Sequence, residues 1–421
     1  MNILILTVGT RGDVQPYVAL GRGLQAAGHG VLVVTLAQFG DFVTGHGLEF
    51  AALPAEFLEI LQTGAGKAAL AGKGNALKLM KMVQPMQRRL LDAAWDAAHT
   101  RPVDAVVYHP KGLGGYSLAE KLGAAAVLAL PAPLYSPTRA FPSLLLPAAD
   151  LGGALNHASH RLTIWLAGVV TRGVVNRWRK EVLDLPPVTD ELTLRGRPVL
   201  RLYPYSPAVL PTPADWDASS VATGYWFLPR DATWQPDPAL VNFLTSGPAP
   251  VYVGFGSMPS EDAAAKTQVV LDALAQAGQR GVVATGWGGL TLANAPREVF
   301  VLDAAPHDWL FPQMAAVVHH GGAGTTAAGL AAGAPTVICP FFGDQPFWGR
   351  RVAALGVGTA PIPQQKLTVE RLAAAISAVT GDLALRERAQ RLGATIRGED
   401  GVGRAVALIE GQTAGVVVRV N

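Results

Sequence analysis

The sequence predicts an α/β protein made of two successive parallel sheets, each wrapped by helices. Three observations predict it. Short apolar runs alternate with helical stretches through the first half, and the alternation restarts at Pro250. A proline- and aromatic-rich stretch without any period, Tyr203 to Pro238, separates the two halves. Between Val317 and Gln345, a strand, a glycine-rich turn, an Ala-rich helix and a second strand follow one another.

In the first half, Asn2–Val8 and Val31–Thr35 read as buried strands. Gln15–Ala27 between them reads as a helix stopped by Gly28. Val103–Tyr108 and Ala124–Leu130 read as further strands, with Ser117–Lys121 helical between them. In the second half the strand runs are Pro250–Val253, Gly281–Ala284, Val299–Leu302, Ala316–His319 and Pro335–Cys339. Glu261–Gln276, Thr326–Ala332 and Gln345–Leu355 read as helices between them. Arg386–Arg397 and Gly403–Glu410 read as helices near the end.

The chain has 421 residues, enough for two domains with a core each. Half of the residues are apolar and 15% are charged, which argues against disorder. A formal charge of +3 argues against a nucleic-acid partner. Cys339 is the only cysteine, so no internal disulfide forms and a reducing, cytoplasmic setting is expected. Met1-Asn2 leads straight into ILILTV with no basic segment or cleavage site, so no signal peptide is expected. Gly321–Gly343 carries no charge and has the length of a membrane span, but its glycines with Pro335 and Pro340 break any single helix across it.

The stretch VVHHGGAGTTAAGLAAGAPTVICPFFGDQ carries the most chemistry. A strand, a glycine turn and a helix aim unpaired backbone N–H groups and the positive helix end at one point, which suits a phosphate. A histidine beside it adds a donor or a charge. An acid–amide pair after the next strand suits hydroxyls. Together they suggest a ligand with phosphate and hydroxyl-rich parts, such as a nucleotide sugar.

Motifs over the whole chain resemble the family 1 glycosyltransferases of the GT-B fold, in the branch with sterol glucosyltransferases and glycopeptide-antibiotic glycosyltransferases. The matching text is TVGTRGDVQPYVALGRGLQAAGH, DAVVYHPKG, ADWD, TGYWFL, VYVGFGSM, ATGWGGL, APHDWLFP, the stretch just quoted with its extension to PFW, and IRGEDGVGRAV, in that order. The resemblance implies two Rossmann-like domains facing across a cleft. Residues 1–222 would form the acceptor domain and 223–402 the donor domain, with 403–421 packing back on the first. It also implies inversion at the anomeric carbon. The donor would be a nucleotide sugar, UDP-glucose foremost and a TDP-sugar as the alternative, and the acceptor a hydroxyl of a hydrophobic small molecule.

Such a transfer needs a base for the acceptor hydroxyl, a cradle for the leaving diphosphate and a hold on the sugar. Asp13, in Gly9-Thr10-Arg11-Gly12-Asp13, is the candidate base. It stands where plant and animal relatives carry histidine. The alternative is that it caps the helix that follows. A free Asp titrates near ~3.9, so burial would have to raise it to suit a base. Thr10 and His109 would border the acceptor, although a structural histidine is an equal reading of His109. The diphosphate candidates are Gly256, Ser257, His320, Gly322, Gly324 and Thr325. Helix-end dipoles and His320 would supply the positive field. His319 reads as a strand-end residue, because adjacent strand side chains point to opposite faces and do not make a metal pair. Asp344 and Gln345 match the family's sugar-binding acid–glutamine pair, and a helix N-cap is the alternative for Asp344.

Trp287 and His307 are the base and ribose candidates, and Trp309 reads as a packing residue. Ala323 and Ala328 stand where the plant motif has tryptophan and a ribose-binding glutamate, and Ala304-Ala305 where it stacks the uracil. Uridine and thymidine nucleotides therefore both remain open. Asp215-Trp216-Asp217 has the D-x-D pattern of metal-dependent transferases, but it follows no strand, and neither a metal nor any other cofactor is expected.

The acceptor contacts are expected in Phe57–Leu91 and Pro131–Pro187. Arg161–Lys180 reads either as a helix packing its own core or as an amphipathic helix touching a membrane, at most peripherally. Two rival classes are weighed. A dehydrogenase would need G-x-G-x-x-G after the first strand, and Gly9-Thr10-Arg11-Gly12 is not that. The second is a non-catalytic nucleotide-sugar binder or auxiliary protein, and Asp13, His320 and Asp344-Gln345 together argue against it.

Overall fold

The first strand, β1 (Asn2–Leu6), is apolar after its exposed first residue, because helices cover both faces of its sheet. The computed structural model describes residues 1–54, 76–146, 150–256, 263–285 and 295–414. Two units emerge. Unit 1 takes Met1–Tyr205, Thr212–Leu228 and the chain from Asp400 on; unit 2 takes Ser206–Pro211 and Pro229–Glu399.

In unit 1, β1 is followed by α1 (Arg11–Ala26), β2 (Gly30–Leu36), α2 (Gly40–Thr44), β3 (Glu49–Leu53), α3 (Ala76–Ala98), β4 (Ala105–Tyr108), α4 (Gly115–Leu122) and β5 (Ala125–Ala129). Then come the long α5 (Gly153–Glu181), a small hairpin of β6 (Thr193–Leu194) and β7 (Arg197–Pro198), β8 (Leu200–Tyr203) and β9 (Ser220–Ala222). Seven strands form one sheet in the order β3-β2-β1-β4-β5-β8-β9. All pairings in it are parallel. α1 turns Val14, Tyr17, Val18, Leu20 and Leu24 onto Ile3, Ile5, Val31 and Val33. The last described helix of the chain packs on α1, placing Ala405, Val406 and Ile409 in the same core.

Unit 2 runs α6 (Pro238–Thr245), β10 (Val251–Gly254), α7 (Ala263–Gln276), β11 (Gly281–Ala284), β12 (Val299–Leu302), β13 (Ala316–His319), α8 (Ala323–Ala331), β14 (Thr336–Ile338), α9 (Gln345–Ala354), α10 (Val369–Gly381) and α11 (Leu383–Arg397). Its five strands are parallel in the order β12-β11-β10-β13-β14. Strand alternation feeds two cores. Val253 and Val318 meet Leu274 and Ile376 on one face. Tyr252 and Val317 meet Leu240 and Phe311 on the other. The helix after unit 2, α12 (Gly401–Ala414), returns to unit 1 as described.

The expected strands are present with ends shifted by a residue or two. Several elements lie outside the expected ones, among them β3, α3, β8, α6 and α10, and the stretch read as aperiodic supplies β9 at a sheet edge. β9 is three residues long, too short to show a period of two. The uncharged Gly321–Gly343 run divides into the turn, α8 and β14. Among the described residues, no helix is long and apolar enough to cross a membrane.

α5 resolves the Arg161–Lys180 reading into two parts. Its C-terminal turns pack as a core helix, burying Val175, Trp178 and Arg179. Arg179 pairs with Glu120 at 2.8 Å and donates to Ser117 Oγ at 2.9 Å. Upstream, the buried side chains are polar: Asn156, Ser159, His160 and Thr163.

Candidate functional site

Each sheet has one point where the strand order reverses, with β1 beside β4 and β10 beside β13. Open parallel sheets leave a crevice for ligands at the carboxyl ends of such strands. The candidate residues gather at these two points, one set in each unit.

In unit 1, Leu6 stands opposite Tyr108 in the β1–β4 register, and the His109 amide donates to Leu6 O at 2.9 Å. This pairing brings the loops after β1 and β4 together. Asp13 lies in the first turn of α1, and its Oδ2 accepts the Thr10 amide at 2.9 Å and the Thr10 hydroxyl at 3.2 Å. Thus it does serve the helix start, through Thr10 rather than as the N-cap itself. Its other oxygen is engaged elsewhere. Oδ1 accepts Lys111 Nζ at 2.7 Å and lies 3.8 Å from His109 Nε2. Gly9, at φ +145°, is required beneath the carboxylate, since any Cβ there would overlap Asp13 Oδ2.

Burial raises the Asp13 pKa, but the Lys111 ammonium, His109 and the Thr10 amide outweigh it, so the carboxyl sits below its usual value. Burial thus acts in the direction a base would need, but the neighbouring cation outweighs it. His109 is buried and its pKa is pushed down to about 4, chiefly by desolvation. The Lys111 amide donates to His109 Nδ1 at 3.0 Å, so the neutral ring carries its proton on Nε2, facing Asp13. Tyr17 packs its ring edge against His109 at 6.1 Å and donates its hydroxyl to Ala129 O.

In unit 2, Gly254 stands opposite His319 in the β10–β13 register, which sets Gly256 beside His320. The His320 ring lies between two glycines. A Cβ on Gly256 would come within 3.1 Å of its Cε1, and one on Gly322 within 2.5 Å of its Nε2. Gly256 also has φ +64°. Gly322 is the N-cap of α8, whose first turn holds Ala323, Gly324 and Thr325. Their amides start the helix, and nothing lies within 4 Å of a Cβ at Gly324, so the cradle is open there.

His320 is mostly buried, and desolvation lowers its pKa to about 4. It is neutral at pH 7, so of the two contributions expected here, a donor or a charge, it offers a hydrogen-bond donor, and the helix-end dipole is left as the positive one. His319 is fully buried at the strand end and accepts the Gly321 amide on Nδ1 at 2.9 Å. The two rings stand at 84° to one another.

The β13–β14 register, His319 opposite Ile338, brings the loop after β14 to the same place. Gln345 is buried, and its Oε1 accepts the Phe341 amide at 2.8 Å. Its backbone oxygen lies 3.2 Å from a Cβ built on Gly321, so the turn and the acid–amide pair are in contact. Asp344 is the N-cap residue of α9, yet its carboxylate makes no cap bond. Its Oδ2 accepts Trp348 Nε1 at 2.9 Å instead. Trp348 is the residue the sequence reading passes over, as is Lys111. The text FFGDQPFW and YHPKG contains both, but no spacing rule marks either one.

His307 stacks on Phe311 at 4.2 Å, and Trp309 packs on Trp234 at 5.2 Å. Ser257 and Trp287, and most of the Phe57–Leu91 acceptor stretch, lie outside the described residues. The D-x-D carboxylates have internal partners. Asp215 accepts Thr138 Oγ1 and the Arg139 amide, both at 2.7 Å, and Asp217 pairs with Arg201 at 3.0 Å.

Two family models match the chain. Residues 3–137 match the glycosyltransferase family 28 N-terminal domain, and residues 268–400 match the erythromycin biosynthesis protein CIII-like C-terminal domain. A sterol 3-beta-glucosyltransferase of Arabidopsis thaliana is 38% identical over 418 residues, covering 96% of this chain and 67% of that protein. A sterol 3-beta-glucosyltransferase of Aspergillus fumigatus is 39% identical over 425 residues, covering 97% of this chain but only 30% of the fungal protein. The crystal structure of the glycotransferase of kitacinnamycin shares the fold, with a TM-score of 0.74 at 21% identity, over 98% of this chain and 99% of that one. With GTRGD after β1, GFG after β10 and HHGGAG after β13 at the switch points of two parallel sheets, the chain belongs to the family 1 glycosyltransferases of the GT-B fold.

Proposed function

We propose that the protein transfers a hexose from a nucleotide sugar, UDP-glucose foremost and a TDP-sugar as the alternative donor, to a hydroxyl of a hydrophobic acceptor, with a sterol 3-hydroxyl as the first acceptor to test. Both sterol glucosyltransferase relatives support that acceptor class. The observation that carries the chemistry is the Asp13 carboxylate, held ionised by Lys111 with His109 Nε2 beside it.

Asp13 takes the proton from the acceptor hydroxyl as that oxygen attacks the anomeric carbon. The bond from that carbon to the diphosphate oxygen breaks, and the nucleoside diphosphate leaves with the electron pair. Direct displacement inverts the anomeric centre. His109, with Nε2 3.8 Å from Asp13 Oδ1, borders the acceptor. The α8 amides, Gly256 and His320 hold the departing diphosphate. Asp344 and Gln345 hold the hexose hydroxyls. The transfer runs without a metal in this reading, which is supported by the D-x-D carboxylates being engaged by Arg201, Thr138 and Arg139.

The test is turnover of UDP-glucose and TDP-glucose against a panel of sterols and other hydrophobic alcohols, with and without EDTA. The anomeric configuration of the product is read by NMR. A β-glucoside formed from the α-linked donor in EDTA is expected. Retention of configuration, dependence on Mg²⁺ or Mn²⁺, or donor hydrolysis that no acceptor diverts would each overturn the reading.

A further inference from the structure

The N-terminal two-thirds of α5 is turned inside out. Its polar side chains face the protein and are bonded there. Ser159 Oγ accepts the Ser143 amide at 2.8 Å, Thr163 Oγ1 meets Ser143 Oγ at 2.9 Å, and Asn156 donates to Arg139 O at 3.0 Å. Its apolar side chains face solvent. Leu155, Leu162, Trp165, Leu166, Val169 and Val170 are 48–61% exposed. At 3.6 residues per turn they share an arc of about 140°, over a length of roughly 22 Å. A continuous exposed apolar stripe of this kind marks an interaction surface.

Charge says what the stripe meets. From Gly153 to Lys180 the helix contains no acidic residue. Glu181 closes it and is engaged by Arg88 at 2.5 Å. Asp150, just before it, is bonded to Asn156 and the Gly152 amide. Arg161, Arg172, Arg177 and Lys180 have no carboxylate within salt-bridge distance among the described residues, in contrast to the buried Arg179. By helical position, Arg161 and Arg172 flank the stripe along one side, and Arg177 and Lys180 extend it. Long basic side chains can lay their stems on apolar surface and send their charges outward.

We infer that this face of α5 is a membrane-docking surface that lies in the interface of an anionic phospholipid bilayer, with Trp165 and the leucines among the acyl chains and the arginines at the headgroup phosphates. A second copy of the chain fits less well, since apposing two such faces brings four unpaired cations on each side together. A small hydrophobic ligand fits less well too, since the stripe is a convex helix face and ligand sites are concave.

The test is co-sedimentation of the full chain, without donor or acceptor, with phosphatidylcholine vesicles that do or do not contain phosphatidylglycerol. Binding to the anionic vesicles, weakened by salt, is expected. Arg161→Gln/Arg172→Gln should lower that binding roughly ten- to thirtyfold. Leu162→Asp/Leu166→Asp should abolish it. All four positions lie at or near the surface, so the thermal melts should match the parent and exclude misfolding. The parent's tryptophan emission should shift blue on binding, and Trp165→Phe should remove that shift. Equal binding by the parent and the Asp variant, or no binding to anionic vesicles, overturns the inference. So does a dimer in sedimentation velocity that Leu162→Asp dissolves, which would assign the face to a second copy.

Discussion

Lys111 Nζ lies 2.7 Å from Asp13 Oδ1, although the two residues are 98 positions apart in the chain. The β1–β4 pairing makes the contact, since it fixes the two loops at one sheet edge. Asp13 is thereby held ionised, and the Lys111 side chain that holds it is itself about half exposed.

Lys111→Met should move the acid limb of the kcat/KM profile to higher pH. The lysine opposes the desolvation of Asp13, so its removal raises the carboxyl pKa, and activity needs the carboxylate. Lys111→Arg should keep the parent profile. An unmoved acid limb in the Met variant would show that Asp13 is not the titrating base.

Asp13→Asn should reduce kcat by about 10²–10⁴-fold, the usual contribution of a positioned base. The asparagine oxygen still accepts the Thr10 amide, so the start of α1 and the melting temperature should hold. Donor affinity, read by calorimetry with UDP, should be unchanged. Near-normal turnover would remove Asp13 from the mechanism.

His320→Ala should raise the donor KM by about ten- to hundredfold, the cost of one hydrogen bond to a charged group. Gly322→Ala should give a similar loss with the histidine still present, because the new Cβ would lie 2.5 Å from His320 Nε2 and displace the ring. A Gly322→Ala enzyme with parental donor KM would contradict the cradle geometry.

Trp348→Phe should lower kcat/KM for the nucleotide sugar by about tenfold while leaving UDP affinity intact. The indole N–H fixes the Asp344 carboxylate at 2.9 Å, and phenylalanine fills most of the volume without the donor. An equal loss for UDP would mean that the substitution damages the whole unit.

Stability should fall as the pH drops from about 6.5 toward 4. His109 and His320 are both held neutral, with pKa values of about 4, whereas the unfolded chain binds those protons near ~6.5. The unfolded state therefore takes up more protons across that window, and each unit loses stability through it. Thermal melts at pH 7 and pH 5 check this. His109→Gln should flatten part of the dependence, and a melt that does not change between the two pH values would contradict the buried neutral histidines.

Sequence alone determined the alternation of strands and helices and the place of the glycine-rich turn, and the order of motifs singled out Asp13, His320, Asp344 and Gln345 as candidates. The alternation follows from a local rule, an apolar run buried on both faces, whereas the candidates rest on the resemblance that the motifs carry. The tertiary structure decided which residues share a site. Parallel pairing at the two switch points sets His109 and Lys111 beside Asp13, and Gly256 beside His320. It also set the charge of two candidate residues. Asp13 titrates low because a lysine remote in sequence outweighs burial, and His320 is neutral because its charge would be desolvated. The inverted α5 was likewise outside the reach of periodicity. A helical period tells that one face differs from the other, but only packing against Ser143 and Arg139 decides that the polar face turns inward.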